Sequence, residues 1–174
     1  VHALLAGEPV EAAPTEALEM ASRFRASALG VRAARAERVE REFDFVMALE
    51  DMVLRGKIDL WFEEGGELIL VDYKTSHVSG TEASRYAASY AVQLRLYAMA
   101  LERHAGRLPD KACLYLLRSG MTLPVEAGRG SMIETGAVVR AFREAQSRLH
   151  FEPQPGDRCR WCGFRGPLCP AGHF

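Results

Sequence analysis

A chain of 174 residues, 48% apolar and 26% charged, suits one ordinary soluble domain, able to bury about 70% of its unfolded surface and to fold without covalent staples. No apolar run approaches the ~20 residues of a membrane span and no signal peptide opens the chain, so the expectation is a cytoplasmic protein. Three of the four cysteines crowd the last 16 residues and Cys113 stands alone in an apolar segment, which argues against a secreted disulfide framework. The net charge of −1 divides into −6 over residues 1–80 and +5 over residues 81–174, an acidic half suited to cations beside a basic half suited to phosphates. The chain begins at Val1 without a methionine, which reads as a fragment of something longer.

Pro14-Thr15 followed by Glu16 and Glu19 has the chemistry of a helix start and Gly30 that of a stop, predicting a helix over 15–29. Glu42 to Leu49 alternates, with Phe43, Phe45, Met47 and Leu49 on one face and Glu42 and Asp44 on the other, as in a half-buried strand. Val53 to Phe62 is a second strand, Glu63-Glu64-Gly65-Gly66 a hairpin turn, and Glu67 to Tyr73 a third strand whose Leu68-Ile69-Leu70-Val71 run predicts burial on both faces. A long helix follows over 82–104, stopped by Gly106. Lys111 to Leu117 returns to strand character with Thr122 to Glu126 beside it, and Ser131 to Leu149 is a last helix before a Pro-, Gly- and Cys-rich tail. Helix, three strands, helix, strand is an α/β order with a small mixed sheet. The expected organisation is a core over 1–152 and a Cys-rich tail over 153–174 packed on it.

The chemistry concentrates in Gly56-Lys57-Ile58-Asp59 and Val71-Asp72-Tyr73-Lys74-Thr75. The hairpin sets Asp59 across from the end of the third strand, where Asp72 emerges after four apolar residues. A carboxylate placed there is costly for the core unless a cation or a donor compensates it. Alternation puts Asp72 and Lys74 on one face, with the Tyr73 carbonyl between them. Two carboxylates and a carbonyl are a hard oxygen set for Mg²⁺, and Lys74 would orient or help deprotonate a water attacking a phosphodiester. The bland alternative is a surface Asp–Lys pair in an edge hairpin, worth little energy. The two segments together favour a metal-dependent nuclease core, with Asp59, Asp72 and Lys74 as catalytic residues.

With these residues the chain resembles the PD-(D/E)XK nucleases of the RecB type, found in AddAB and RecBCD helicase–nucleases. Val1-His2-Ala3-Leu4-Leu5 matches the later part of a family segment whose His is a metal ligand, and Arg41-Glu42-x-x-Phe45 looks like the segment before the first strand. Tyr90-x-x-Gln93-x-x-x-Tyr97 matches the family's signature helix, so the likeness runs from His2 to Cys169. The resemblance implies a restriction-endonuclease-like αβββαβ core and a metal site of His2, Asp59, Asp72 and the Tyr73 carbonyl. Mn²⁺ would be accepted beside Mg²⁺, because a His ligand softens the site. It also implies that Gln93 and Tyr97, four apart on one helical face, point to the active site, although Tyr90, Leu94, Tyr97 and Leu101 also read as a packing stripe. Glu42 reads equally as a further acidic contact or as an exposed strand residue.

Cys159-x₂-Cys162-x₆-Cys169 has metal-ligand spacing. In several RecB-like nucleases such a triplet joins a cysteine upstream of the His segment to hold a [4Fe–4S] cluster; that fourth cysteine would precede Val1. Cys169-x₃-His173 offers a Zn²⁺ site instead, and free thiols are the third reading. The implied function is a Mg²⁺-dependent deoxyribonuclease, an exonuclease on single-stranded DNA ends. It would be the nuclease module of a longer chain with a helicase domain, partnered by a second helicase–nuclease subunit, in double-strand-break repair. The alternative is a catalytically silent nuclease-like fold that binds DNA in a structural role.

Overall fold

The computed structural model describes residues 1–156, 159–160, 162–166 and 169, and divides into two units, Val1–Ala137 and Val138–Phe174. The first unit opens with α1 (His2–Ala6), α2 (Thr15–Ala26) and α3 (Ala28–Arg35), then β1 (Arg38–Leu49), β2 (Met52–Glu64) and β3 (Glu67–Lys74). A short 3₁₀ turn (Gly80–Glu82) leads into α4 (Ala83–Ser89) and α5 (Ala91–Ala105), followed by β4 (Lys111–Leu116), β5 (Met121–Val125) and α6 (Arg129–Ser147), which continues into the second unit. The strand order is β1-β2-β3-β4-β5, antiparallel throughout except for the parallel pair β3–β4. The expected αβββαβ core is therefore present, with one further strand closing the sheet.

Helices cover both faces of the sheet. On one side Leu94, Ala98 and Leu101 of α5 and Ala87 of α4 pack on Trp61, Leu68, Leu70, Leu114 and Leu116. On the other, Leu5, Met20, Phe24 and Ala33 from α1, α2 and α3 pack on Leu60, Phe62, Ile69, Val71, Tyr73 and Tyr115. The run Leu68-Ile69-Leu70-Val71 is accordingly buried on both faces. Fully burying a side chain of that size contributes about 1.5–3 kcal/mol, so this central strand is an anchored platform for whatever follows it. The turn into it is Gly65-Gly66, with φ of 57° and 80°, a pair of positive values that glycine adopts without the Cβ clash other residues suffer.

Two helix boundaries differ from expectation. Gly30 does not stop a helix over 15–29. The break falls at Ser27, whose extended backbone ends α2 and whose Oγ accepts from the Gly30 N–H to cap α3. Gly30 lies inside α3, where a Cβ would stand 2.0 Å from the Phe24 carbonyl oxygen, so the glycine serves close packing rather than termination. The helix expected over 82–104 is interrupted at Tyr90 (φ −106°, ψ 0°), where Ser89 Oγ donates to the Tyr86 carbonyl and so competes with helix continuation. It ends at Gly106 as the sequence indicates.

In the second unit, the rings of Phe142 and Phe151 lie 5.9 Å apart. Single turns are closed by the Cys159 N–H on the Gly156 carbonyl, the Cys162 N–H on the Cys159 carbonyl and the Cys169 N–H on the Gly166 carbonyl.

Candidate active site

The site begins where the sheet's regular alternation breaks. β1 and β2 pair from Arg38↔Glu63 to Leu49↔Met52, but the pair Glu42↔Asp59 is missing from the ladder. Glu42 has φ 50°, a left-handed value unusual for a residue with a Cβ. Alternation changes phase there in both strands. Val39 faces the α1–α3 side and Phe43 the α5 side; Leu60 faces the α1–α3 side and Ile58 the α5 side. The two acidic side chains are thus turned out of the ladder at one point. β3 stops pairing with β2 at Leu60↔Val71, immediately before Asp59 and Asp72, so the strands part where the two aspartates stand.

α1 delivers His2 to this point. Its Nδ1 lies 3.2 Å from Asp59 Oδ1 and 3.5 Å from Glu42 Oε1. The second Asp59 oxygen accepts from the Tyr73 N–H at 2.6 Å, which fixes the carboxylate against β3. The hydrogen bond to Asp59 raises the His2 pKa above its ordinary value, against the opposing effect of burial. Lys57 Nζ stands 3.6 Å from Glu42 Oε2.

Asp72 and Lys74 project from β3 toward α5, as alternation predicts. Lys74 Nζ lies 2.6 Å from Asp72 Oδ2, and it donates to Gln93 Oε1 at 3.3 Å. Gln93 Nε2 donates to Asp72 Oδ1 at 3.3 Å and to the Tyr97 hydroxyl at 2.8 Å. The Lys74 ammonium also sits over the Tyr90 ring, 4.4 Å from its centroid. Asp72 is 1% exposed. Burial, followed by the nearby Asp59 charge, pushes its pKa up to about 6 against the pull of Lys74.

The fit to a divalent cation rests on two features. Ligand atoms of His2, Glu42 and Asp59 all lie within 4.8 Å of one another, an imidazole nitrogen and carboxylate oxygens of the kind that suit Mg²⁺ or Mn²⁺. Asp72 Oδ2 is buried with the Lys74 ammonium at 2.6 Å as its close partner, and a carboxylate oxygen has lone pairs for a second contact. His2, Asp59, Asp72, Lys74, Gln93 and Tyr97 lie at one end of the sheet, but among the described residues the close ligand group is His2, Glu42 and Asp59, with Asp72 outside it. Tyr73 contributes its N–H there, donated to Asp59, and buries its ring against Phe24.

Glu42 is the member that sequence reasoning left between two readings, and the structure seats it beside His2 and Asp59. Its place after Arg41 was legible; the left-handed backbone that aims it was not. Cys159, Cys162 and Cys169 form no disulfide and, among the described residues, do not make a three-ligand group; Cys113 is buried in β4. His173 lies outside the described residues.

A family model for the PD-(D/E)XK nuclease superfamily matches residues 3–170. The chain belongs to that superfamily. Among relatives, it is 36% identical over 110 residues to an ATP-dependent helicase/nuclease subunit of Clostridium kluyveri, covering 54% of this chain and 9% of that protein. It is 29% identical over 119 residues to the protein of the same name from Clostridium acetobutylicum, covering 60% and 10%. The chain thus spans a tenth or less of the length of these curated relatives, as expected of a nuclease domain of the RecB type. The crystal structure of SSO0001 superposes with a TM-score of 0.49 at 16% identity, over 93% of this chain and 73% of that one. Among the described residues, no helix is long and apolar enough to cross a membrane.

Proposed function

We propose that this PD-(D/E)XK domain is a Mg²⁺-dependent deoxyribonuclease, active also with Mn²⁺. It works as the nuclease module of a helicase–nuclease that trims single-stranded DNA ends in double-strand-break repair in the cytoplasm. The observation that carries the reading is the convergence of His2, Glu42 and Asp59 with the buried pair Asp72–Lys74. The name of the helicase/nuclease relatives supports a helicase domain in the same longer chain, and the further partner proposed is a second helicase–nuclease subunit.

In this reading His2, Asp59, Asp72 and the Tyr73 carbonyl, with Glu42 added, hold the cation. When bound, it supplies Lewis acidity and a water of lowered pKa. The protein's own groups do the remainder. Lys74 is held between Asp72, Gln93 and the Tyr90 ring, so its charge is fixed where negative charge grows on the phosphoryl oxygens. Gln93 locks that amine and Asp72 in one geometry and is itself held by Tyr97. Hydrolysis forms one bond from the water oxygen to phosphorus and breaks the bond to the leaving oxygen, which takes up a proton. Cys159, Cys162 and Cys169 are proposed as ligands of a structural staple, a [4Fe–4S] cluster ahead of a zinc site with His173.

The test is cleavage of end-labelled single- and double-stranded DNA with Mg²⁺, Mn²⁺ or a chelator. Cleavage that needs the metal and disappears in Lys74→Ala supports the reading. A wild-type protein that binds DNA and never cuts it would support the silent, structural alternative.

A further inference from the structure

Beside the carboxylates lies a cavity of about 340 Å³ between the β1–β2 hairpin and α5. Phe45, Met47, Leu54 and Gly56 line it from the hairpin and Val92, Gln93, Leu96 and Tyr97 from α5. α5 thus carries two adjacent stripes, each with a four-residue step: Gln93 and Tyr97 toward Asp72, Val92 and Leu96 toward the cavity. The aromatic wall is pinned. The Phe45 ring packs edge-on to Tyr97 at 5.7 Å and lies over Gly56, where an added Cβ would stand 2.7 Å from it. That contact gives the glycine before Lys57-Ile58-Asp59 a packing reason to be a glycine.

We infer that this cavity receives one unstacked nucleobase of a single-stranded substrate whose phosphate lies at Asp72 and Lys74; the inference rests on the proposed nuclease reading. Three observations select that occupant. The cavity shares Gln93 and Tyr97 with the constellation around Asp72 and Lys74, so a group entering it lies close in space to whatever the carboxylates and Lys74 hold. Its volume is at the small end of ligand pockets, suited to one planar ring system. Its walls are apolar and aromatic, the chemistry that binds any base by stacking without reading its edges. The exposed Arg55 is also at the cavity, a cation suited to the backbone of the same strand. A base inside a duplex is stacked and paired and would have to be extruded first, so the cavity favours single strands over duplex with little regard for sequence.

The test uses the whole chain, wild type, in chelator so that nothing is cut. Binding of short single-stranded oligonucleotides is measured by fluorescence anisotropy while one abasic residue is moved along the strand. The expected result is one position at which losing the base weakens binding about tenfold. Phe45→Ala, checked for fold by circular dichroism, makes the profile flat. A flat profile in the wild type, or no binding of single strands, overturns the inference. Cleavage of the same strands in Mg²⁺ separates the two readings. Cutting with a flat profile removes the base pocket alone, whereas a position-dependent profile without cutting removes the nuclease reading and leaves the pocket.

Discussion

On the α5 side of the site, Asp72 is 1% exposed and each of its oxygens meets a protein group, Lys74 on one and Gln93 on the other. On the α1 side, the His2 side chain is 43% exposed, and the neighbouring Glu42 and Asp59 carboxylates have His2 and Lys57 as their nearby cations. The inner half is fixed before any ligand arrives, and its fixed charges act without reorganisation. The outer half meets solvent mainly at His2, with Glu42 and Asp59 largely covered, and three of its ligand atoms already stand close together. In the proposed nuclease the outer half admits the cation and the inner half works on the phosphate, with Asp72 joining the two.

That division predicts different failures. Lys74→Ala and Asp72→Ala should lower single-turnover cleavage by about 10³-fold, and raising Mg²⁺ should not rescue Lys74→Ala. Circular dichroism checks that both variants fold. His2→Ala and Glu42→Ala should instead raise the Mg²⁺ concentration needed for half-maximal cleavage about tenfold or more, with most activity returning at saturation; a loss that saturating Mg²⁺ cannot repair would place these residues in the inner half.

Stability without metal sharpens the contrast. Asp72 has a folded pKa of about 6, above the ~3.9 of a free aspartate. At this group the folded state binds more protons than the unfolded state between those values, so the Asp72 contribution to stability is full below about pH 4 and is lost as pH rises through 6. A shift of about two units corresponds to roughly 3 kcal/mol. Asp72→Asn should therefore be more stable than wild type at pH 8 in chelator, by up to about 3 kcal/mol in urea titrations, and the gap should close near pH 4. Equal stability at both pH values would mean that the Asp72 carboxylate is not strained by its burial.

The smallest effect concerns the ring under the amine. Tyr90→Leu should cost about three- to tenfold in kcat/KM through the lost cation–π contact, while Tyr90→Phe should keep most of it. Equal losses in the two variants would assign the effect to the Tyr90 hydroxyl, which accepts from Tyr86 at 3.5 Å.

Much of the inner half was legible in the sequence. A polar residue directly after Leu68-Ile69-Leu70-Val71 has to emerge from a buried strand, period-two alternation ties Asp72 to Lys74, and a four-residue step on a helix ties Gln93 to Tyr97. The outer half was legible only in pieces. Alternation says that Glu42 leaves the Phe43–Phe45 face, but not that Glu42 adopts a left-handed backbone or that both strands change phase opposite Asp59. A five-residue helix such as α1 carries too little periodicity to announce itself, and His2 was reached through family likeness alone. Gly30 misled for a related reason, since a glycine demanded by a neighbouring carbonyl looks in sequence like one that ends a helix.

Calorimetric titration of Mn²⁺ into the wild type, Asp59→Ala and Asp72→Ala bears most directly on whether the two halves share one cation. One site in the wild type, with proton release near neutral pH and loss of binding in both variants, is the expected result. Undiminished binding in Asp72→Ala would separate the halves and contradict a shared metal.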